Sequence, residues 1–181
     1  MGIEIRNIDG TIFVDLFHPC KECIYWECPS KCSKASSKEK AKIKLEWFKK
    51  VSSVFGTCGK ILYANRNPVA YCQFAPPQDI ENIKEYEKHV SSASRDDVII
   101  TCLYIRGGYR GRGFGQNLLM NIIEETRKKG CKFLETYARD DSNNNPSGPT
   151  EFYLDKGFKI IESKKWENAS FSLLRLNLET D

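Results

Sequence analysis

The sequence is poor in the features that mark exported and membrane-bound proteins. No apolar run is long enough to cross a bilayer, and the first six residues contain no basic segment followed by an apolar stretch. A start of Met1-Gly2 would suit N-myristoylation, but that motif also needs serine or threonine where Arg6 stands. We therefore expect a cytoplasmic protein without membrane association.

The net charge is small, and histidine is scarce. The net charge of +4 is too small to indicate a nucleic-acid partner by itself, although it suits binding of a small polyanion. The two histidines, His18 and His89, are expected to be structural or surface residues. A length of 181 residues, with 40% hydrophobic and 29% charged residues, favours one globular domain.

Cysteine, by contrast, is abundant. Without an export signal, the eight cysteines are expected to be reduced thiols or metal ligands rather than disulfides. Cysteines 58, 72, 102 and 131 stand singly in apolar surroundings and are expected to be buried. The other four form one tight cluster: Cys20, Cys23, Cys28 and Cys32. Thiolates bind zinc, but this spacing is shorter than in a zinc ribbon, so structural zinc, reactive thiols and packing without metal all remain open.

Strands and helices alternate along the chain. Apolar runs and turn residues predict strands near 3–8, 60–64, 69–74, 98–105, 131–138, 157–162 and 170–178. Apolar residues at helical spacing predict helices over 38–55 and from 116 to about 129, and Pro149 suits the start of a short helix that reaches Lys156. The charged stretch 78–96 is interpreted as a surface excursion that could serve as a lid. The pattern indicates a mixed α/β sheet rather than a purely parallel one.

A glycine-rich loop, Arg106 to Gly115, connects a buried strand to an amphipathic helix. A helix N-terminus presents unpaired N–H groups, and glycines let the backbone approach an anion closely, so this loop predicts a phosphate site. It is no P-loop, because Gly115 is followed by Gln116 instead of lysine. The glycine spacing also differs from that of a dinucleotide-binding fingerprint.

The loop resembles a known motif. Arg110-x-x-Gly113-x-Gly115 after a buried strand is similar to the pyrophosphate-binding motif of the GNAT acetyltransferase superfamily. The segment 152–158 resembles the family's Tyr-x-x-x-Gly-Phe, and Asn145-Pro146 its Asn-Pro, although the gap to Tyr153 is about one residue longer than usual. The resemblance covers most of residues 60–162. The stretch that opens at Cys20 is similar to a segment of a poorly characterised GNAT-like branch.

The resemblance implies a fold and an activity. It implies one GNAT-like domain over 1–181, with a mostly antiparallel mixed sheet flanked by helices, a cysteine-rich loop at 18–37 and an acetyl-CoA-binding core at 60–162. The activity would be transfer of an acetyl group from acetyl-CoA to a primary amine of a small molecule or peptide. A homodimer is plausible on the same ground.

Site residues follow from the same resemblance. Tyr153 would donate a proton to the departing thiolate, or else only pack against or hydrogen-bond the cofactor. No general base stands out; Glu135, Asp140 and Asp141 are candidates that could also be ordinary surface acids. The residues expected to bind the cofactor are Leu103, Tyr104, Ile105, Arg110, Gly111, Arg112, Gly113, Phe114, Gly115, Gln116 and Asn145.

Two other classes of function stay open. The same scaffold could hold acetyl-CoA as a sensor without turnover. The loop also resembles an RGG segment of RNA-binding proteins, but those segments are usually repeated and disordered, whereas this one occurs once between a strand and a helix. Nucleic acid is therefore the less favoured partner.

Overall fold

A seven-stranded sheet runs through the computed structural model, which describes residues 2–142 and 145–179. In chain order the strands are β1 (Ile3–Asn7), β2 (Gly59–Ala64), β3 (Asn67–Ala75), β4 (Val98–Ile105), β5 (Phe133–Arg139), β6 (Lys159–Trp166) and β7 (Ala169–Asn177). The helices are α1 (Ser37–Phe55), α2 (Ile83–His89), α3 (Phe114–Lys128) and α4 (Thr150–Leu154). Short 3-10 turns lie at Ile12–Asp15, Pro29–Lys31, Pro77–Asp79 and Gly107–Tyr109.

The strand order in the sheet is β1-β2-β3-β4-β5-β7-β6. Among the strands of the described residues, the central pair β4 and β5 is parallel and the other neighbours are antiparallel. The prediction of a mixed, mostly antiparallel sheet flanked by helices is confirmed. Among the described residues, no helix combines the length and apolarity needed to cross a bilayer.

Two hydrophobic cores lie on opposite faces of the sheet. One contains Phe48 and Val51 of α1 and residues from the N-terminal loop and α2. The other contains Leu118 and Ile122 of α3 together with Phe158. Alternate residues of β2, β4 and β7 therefore enter different cores, as expected for strands covered on both sides.

The central pair separates halfway along β4. Pairing with β5 covers only Val98 to Ile100, and the next residue, Thr101, forms a bulge against β3, since Gln73 pairs with Cys102 while Phe74 pairs with Ile100. A bulge bends its strand and increases the local twist. The second half of β4 thus turns away from β5 and leaves a gap in the middle of the sheet.

Helix α1 begins with a capping box, and the face that it buries differs from the face that its apolar residues indicate. Ser36 and Glu39 form a reciprocal capping box. The apolar residues at helical spacing in 38–55 include Val54, yet that side chain is 89% exposed, and the buried positions are Lys44, Phe48 and Val51. The stripe is rotated because a lysine occupies one of its inward positions.

The stretch 78–96 is not a surface excursion. Ile80, Ile83, Tyr86 and Val90 are all buried in the core under α1. The prediction was wrong because the charged residues of this stretch lie on the outer face and hide four inward apolar positions. It is a packed part of the fold and not a free lid.

Candidate functional site

A cavity of about 910 Å³ opens where β4 parts from β5. Tyr71, Cys102 and Tyr104 line it from one core face, whereas Leu103 and Ile105 belong to the other. The cavity therefore passes through the sheet. One end reaches the N-terminus of α3, and the other lies beneath the cysteine-rich loop.

The N-terminus of α3 forms one wall of this cavity. Gly113 is the N-cap with φ of +79°, and the first helical hydrogen bond runs from Asn117 N to the Gly113 carbonyl at 3.0 Å. The N–H groups of Phe114, Gly115 and Gln116 precede that bond and have no partner within the helix. Gly111, Gly113 and these three residues all line the cavity. The loop and helix thus present several N–H groups and the positive end of the helix dipole to the same space.

Glycine is required at the turn into α3. Gly111 and Gly113 have φ of +73° and +79°, and a Cβ added at either would meet no heavy atom within 4 Å. Side chains there would be strained by the backbone and would project into open space. At Gly115 a Cβ would lie 3.6 Å from Phe152 Cζ, an ordinary contact, so this glycine has no comparable constraint.

Basic side chains surround the same end of the cavity. Arg110 lines it, donates from Nε to the Ile105 carbonyl at 3.2 Å, and lies 5.9 Å from the centre of the Tyr104 ring. Lys156 lines it as well. Arg112, which was predicted to bind the cofactor, lies over the Tyr109 ring at 5.5 Å and is not a lining residue among those described.

The three predicted residues of β4 all line the cavity, with different backbone roles. Arg106 N donates to Val69 of β3 at 3.0 Å, so the preceding Ile105 N–H points the other way, toward the gap, because neighbouring residues of a strand alternate. The Leu103 N–H faces the gap too, but there it already donates to the Pro146 carbonyl at 2.7 Å. Ile105 is therefore the better-placed backbone donor.

Asn145 lines the cavity but closes its own turn. Its Nδ2 donates to the Gly148 carbonyl at 2.9 Å, and the Gly148 N–H donates back to the Asn145 carbonyl at 3.1 Å. Its position is consistent with the predicted cofactor contact. Its amide would have to leave this turn to hydrogen-bond a ligand.

Tyr153 lies behind the cavity wall. The side chain is fully buried on α4, its hydroxyl donates to the Ser147 carbonyl, and its ring packs 3.5 Å from a Cβ built on Gly148. It is not among the residues that line the cavity in the described part of the chain. Burial raises the pKa of Tyr153 well above its usual value, so the phenol stays protonated. The proposed general-acid role remains a prediction.

None of the three candidate general bases lines the cavity among the described residues. Glu135 is buried and accepts from Arg175 and from the Ser94 N–H, at 2.7 and 2.8 Å; burial raises its pKa. Asp140 accepts from Thr150, and Asp141 pairs with Arg139 at 2.6 Å. All three carboxylates are occupied with structural partners.

A buried polar group at the opposite end was missed by the sequence reasoning. It consists of Trp26, Glu27, Lys44, Tyr71 and Gln73, here called the polar cluster. All are buried, and all but Glu27 line the cavity. Lys44 Nζ donates to Glu27 Oε1 and to the Cys23 carbonyl, both at 2.7 Å. The spacing of Lys44 from Phe48 and Val51 along α1 is the signal that could have revealed its inward position.

Lys44 is charged despite its burial. Burial alone lowers the pKa of Lys44, but the Glu27 carboxylate, the Cys23 thiol and the hydrogen bond to Glu27 outweigh it and raise the pKa above its usual value. The polar cluster therefore places a positive charge and a negative charge side by side at this end of the cavity.

The cysteine cluster does not converge on one point. Cys20 and Cys23 line the cavity, whereas Cys32 Sγ lies 3.9 Å from the Cys28 carbonyl on the Pro29–Lys31 turn. In the described residues, no three His, Cys, Asp or Glu side chains gather as a metal site. The structural-zinc hypothesis for Cys20, Cys23, Cys28 and Cys32 is therefore unsupported.

The single cysteines differ in their burial. Cys58 and Cys72 are fully buried as predicted, and burial raises the pKa of Cys58 to about 12. Cys102 and Cys131 are only partly buried. Cys102 lines the cavity beside Cys20; its hydrogen bond with Cys20 and its burial raise its pKa.

Comparison with known proteins points to one family. The sequence model described as the acetyltransferase (GNAT) family matches residues 20–158. No curated protein sequence matches the chain.

Solved structures share the fold at low sequence identity. PaiA N-acetyltransferase from Thermoplasma acidophilum, in complex with coenzyme A, is 17% identical with a TM-score of 0.61, and the match covers 98% of this chain and 99% of that one. The yncA protein of Salmonella typhimurium, with its cofactor acetyl-CoA, is 15% identical with a TM-score of 0.67, covering 100% and 96%. The ribosomal-protein-S18-alanine N-acetyltransferase of Escherichia coli is 14% identical with a TM-score of 0.62, covering 99% and 96%.

Proposed function

The chain belongs to the acetyltransferase (GNAT) family, and from that premise we propose that it transfers an acetyl group from acetyl-CoA to a primary amine of a small molecule or peptide. One observation carries this proposal. The N–H groups at the start of α3 border a cavity, and this cavity crosses the sheet through the gap between β4 and β5. A cosubstrate held at one face can therefore meet an acceptor that enters from the other.

The residues at the α3 end fit the pyrophosphate of acetyl-CoA. The N–H groups from Gly111 to Gln116 would bind its oxygens, and Arg110 would add a positive charge beside them. The space at Gly111 and Gly113 that a Cβ would occupy is open, which allows such an anion to approach the backbone. Arg112, whose side chain lies over Tyr109, would act only through the field of its charge.

The second half of β4 would align the thioester. Leu103, Tyr104 and Ile105 border the gap, and the Ile105 N–H points into it. A backbone N–H at this place would stabilise the negative charge that develops on the thioester oxygen when a neutral amine attacks. The new C–N bond then replaces the C–S bond, the amine loses a proton to solvent, and the thiolate gains one.

Tyr153 remains our candidate for the group that donates a proton to the thiolate. Burial makes this phenol a weaker acid than a solvated one, so its pKa would have to fall when the cosubstrate binds before it could donate to the thiolate. The hydroxyl is bonded to the Ser147 carbonyl, so the role would require the turn around Gly148 to shift when the cosubstrate binds.

We propose that the whole chain works as one domain. Residues 60–162 would hold the cosubstrate, and the cysteine-rich loop at 18–37 would cover the acceptor side, since Cys20, Cys23 and Trp26 line that end of the cavity.

The test joins a binding measurement to a transfer measurement. We expect coenzyme A to bind in calorimetry and an acetylated product to appear, by mass spectrometry, when acetyl-CoA and a panel of amines are added. Product detection avoids interference from the protein's own eight thiols. Coenzyme A binding without any product would indicate a sensor, and the absence of coenzyme A binding would refute the assignment.

A further inference from the structure

Two buried hydrogen-bond donors of the polar cluster have no partner. Trp26 Nε1 and Gln73 Nε2 make no hydrogen bond among the described residues, although their side chains are only 4% and 0% exposed and both line the cavity. The Tyr71 hydroxyl donates to Gln73 Oε1, which leaves the amide's NH2 as the free end. Buried donors without acceptors are costly and rare in folded proteins, so these two indicate a ligand that accepts hydrogen bonds.

The charge of the cavity wall selects the ligand further. Arg110 and Lys156 are cationic, the charge of Lys44 is balanced by Glu27, and among the described residues that line the cavity none is aspartate or glutamate. A polycationic acceptor would find no carboxylate to neutralise its extra charges. A carboxylate would find two neutral donors, and its own charge strengthens the hydrogen bonds that it accepts from them.

The position of the two donors indicates how far the carboxylate of the acceptor lies from its reacting amine. Gln73 pairs in register with Cys102, directly beside the bulge at Thr101 where the gap opens. A carboxylate held by Gln73 and Trp26 would thus lie next to the β4 segment that aligns the thioester. The amine and the carboxylate of the acceptor must be only a few bonds apart.

We propose that the polar cluster is the acceptor subsite and that the acceptor is a compact amino carboxylate, a primary amine a few bonds from a carboxylate. This inference rests on the proposed acetyl transfer and specifies its substrate class. Trp26 and Gln73 bind the carboxylate after a small side-chain movement turns their N–H groups, which are sealed from solvent in this structure, toward the cavity. Glu27 does not line the cavity and acts as a positioning residue, because it holds Lys44 at 2.7 Å.

The experiment compares amines with and without the carboxylate. Glycine, β-alanine, leucine and phenylalanine are assayed beside methylamine, ethylamine, 3-methylbutylamine and phenethylamine, which match them after decarboxylation. We expect kcat/KM for the best amino carboxylate to exceed that of its decarboxylated partner by about tenfold or more, the equivalent of one good charged hydrogen-bonding site.

Variants of the two donors locate the effect. Trp26→Phe keeps the ring and removes the N–H, and Gln73→Met keeps the length and removes the amide. Each is expected to raise KM for the amino carboxylate about fivefold or more, with little change for the decarboxylated amine or in the Kd of coenzyme A. Trp47→Phe is the matched control, since its Nε1 donates to the Asp79 carbonyl and it does not line the cavity; it should change none of these values. Thermal unfolding of each variant confirms that it is folded.

A binding measurement makes the inference independent of turnover. N-acetyl amino acids and the N-acetyl derivatives of the decarboxylated amines are titrated by calorimetry against the protein saturated with coenzyme A, and the carboxylate series is expected to bind more tightly. Equal binding of the two series, equal kcat/KM, or turnover of other amines alone would overturn the substrate class while leaving the acetyl transfer intact. Failure of coenzyme A itself to bind would instead refute the proposed function.

Discussion

At the scale of single residues, the proposed acceptor side depends on a lysine in an otherwise apolar helix stripe. Lys44 occupies an inward position of α1 because Glu27 and the Cys23 carbonyl receive its ammonium at 2.7 Å. An ion pair at this depth seldom stabilises a fold more than apolar residues would, since both charges lose their hydration. Its place at the cavity wall is consistent with a role in binding.

Tyr153 permits a prediction about the chemistry. If it is the general acid, Tyr153→Phe should lower kcat by about 10²–10⁴ with little change in KM or in the Kd of coenzyme A. The variant also leaves the buried Ser147 carbonyl without its donor, so the free energy of unfolding should fall by about 1–3 kcal/mol. Steady-state kinetics and urea denaturation measure the two effects separately. Unchanged kcat with reduced stability would restrict Tyr153 to holding the turn at Ser147 and Gly148.

At the scale of elements, the loop and the first turn of α3 act as one unit. The loop resembles an RGG segment in sequence, yet it is folded between β4 and α3, with Gly111 and Gly113 at positive φ. The left-handed conformation of Gly113 is what directs the following N–H groups into the cavity.

Substitutions of two glycines with similar φ, one at each end of α3, test whether the loop and the first turn of α3 bind the anion. Gly113 and Gly130 have φ of +79° and +76°, and neither has a heavy atom within 4 Å of an added Cβ. Alanine should cost about 1–2 kcal/mol of stability at both positions, because both are left-handed. Only Gly113→Ala places a methyl group in the proposed pyrophosphate site, so we expect it to raise the Kd of coenzyme A by about tenfold or more.

Calorimetry with coenzyme A measures these affinities, and urea denaturation confirms that the two variants lose similar stability. An equal effect of Gly113→Ala and Gly130→Ala on the Kd of coenzyme A would contradict the assignment of the α3 N-terminus as the anion site.

The bulge in β4 is the second element that determines the site. Thr101 interrupts the pairing with β3 just where pairing with β5 stops. The apolar run 98–105 shows that a buried strand exists, but it does not show where that strand leaves its neighbour. That place depends on how three strands meet in the sheet.

At the scale of the whole molecule, the cavity links both cores. Its walls come from the cysteine-rich loop, α1, β3, β4, α3 and α4, so a ligand that fills it would contact segments across most of the chain. A ligand that binds only the folded state at 100 times its Kd adds about 2.7 kcal/mol of stability. For a domain of this size we expect coenzyme A to raise Tm by about 5–10 °C. Differential scanning calorimetry with and without coenzyme A measures this shift, and no shift at saturation would argue against the cavity as its site.

The sequence alone determined the features that depend on neighbours along the chain. The strand at 98–105, the glycine turn and the helix after it follow from local apolar patterns and backbone freedom, and with the family resemblance they were enough to predict the mixed sheet and to place the anion site at Gly111 to Gln116 as a hypothesis. Buried Ile80 and Ile83 within the stretch 78–96 were hidden, because their periodicity is weak among charged residues.

Only the tertiary structure decided how distant segments meet. It placed Arg112 and Tyr153 off the cavity surface, kept the four clustered cysteines from a common centre, and brought Trp26, Lys44 and Gln73 together across separations of up to 47 residues. No local pattern encodes such contacts, since they arise from the packing of a loop and a helix on one face of the sheet. The proposed acceptor side is therefore a property of the fold, whereas the proposed anion site is largely a property of one segment.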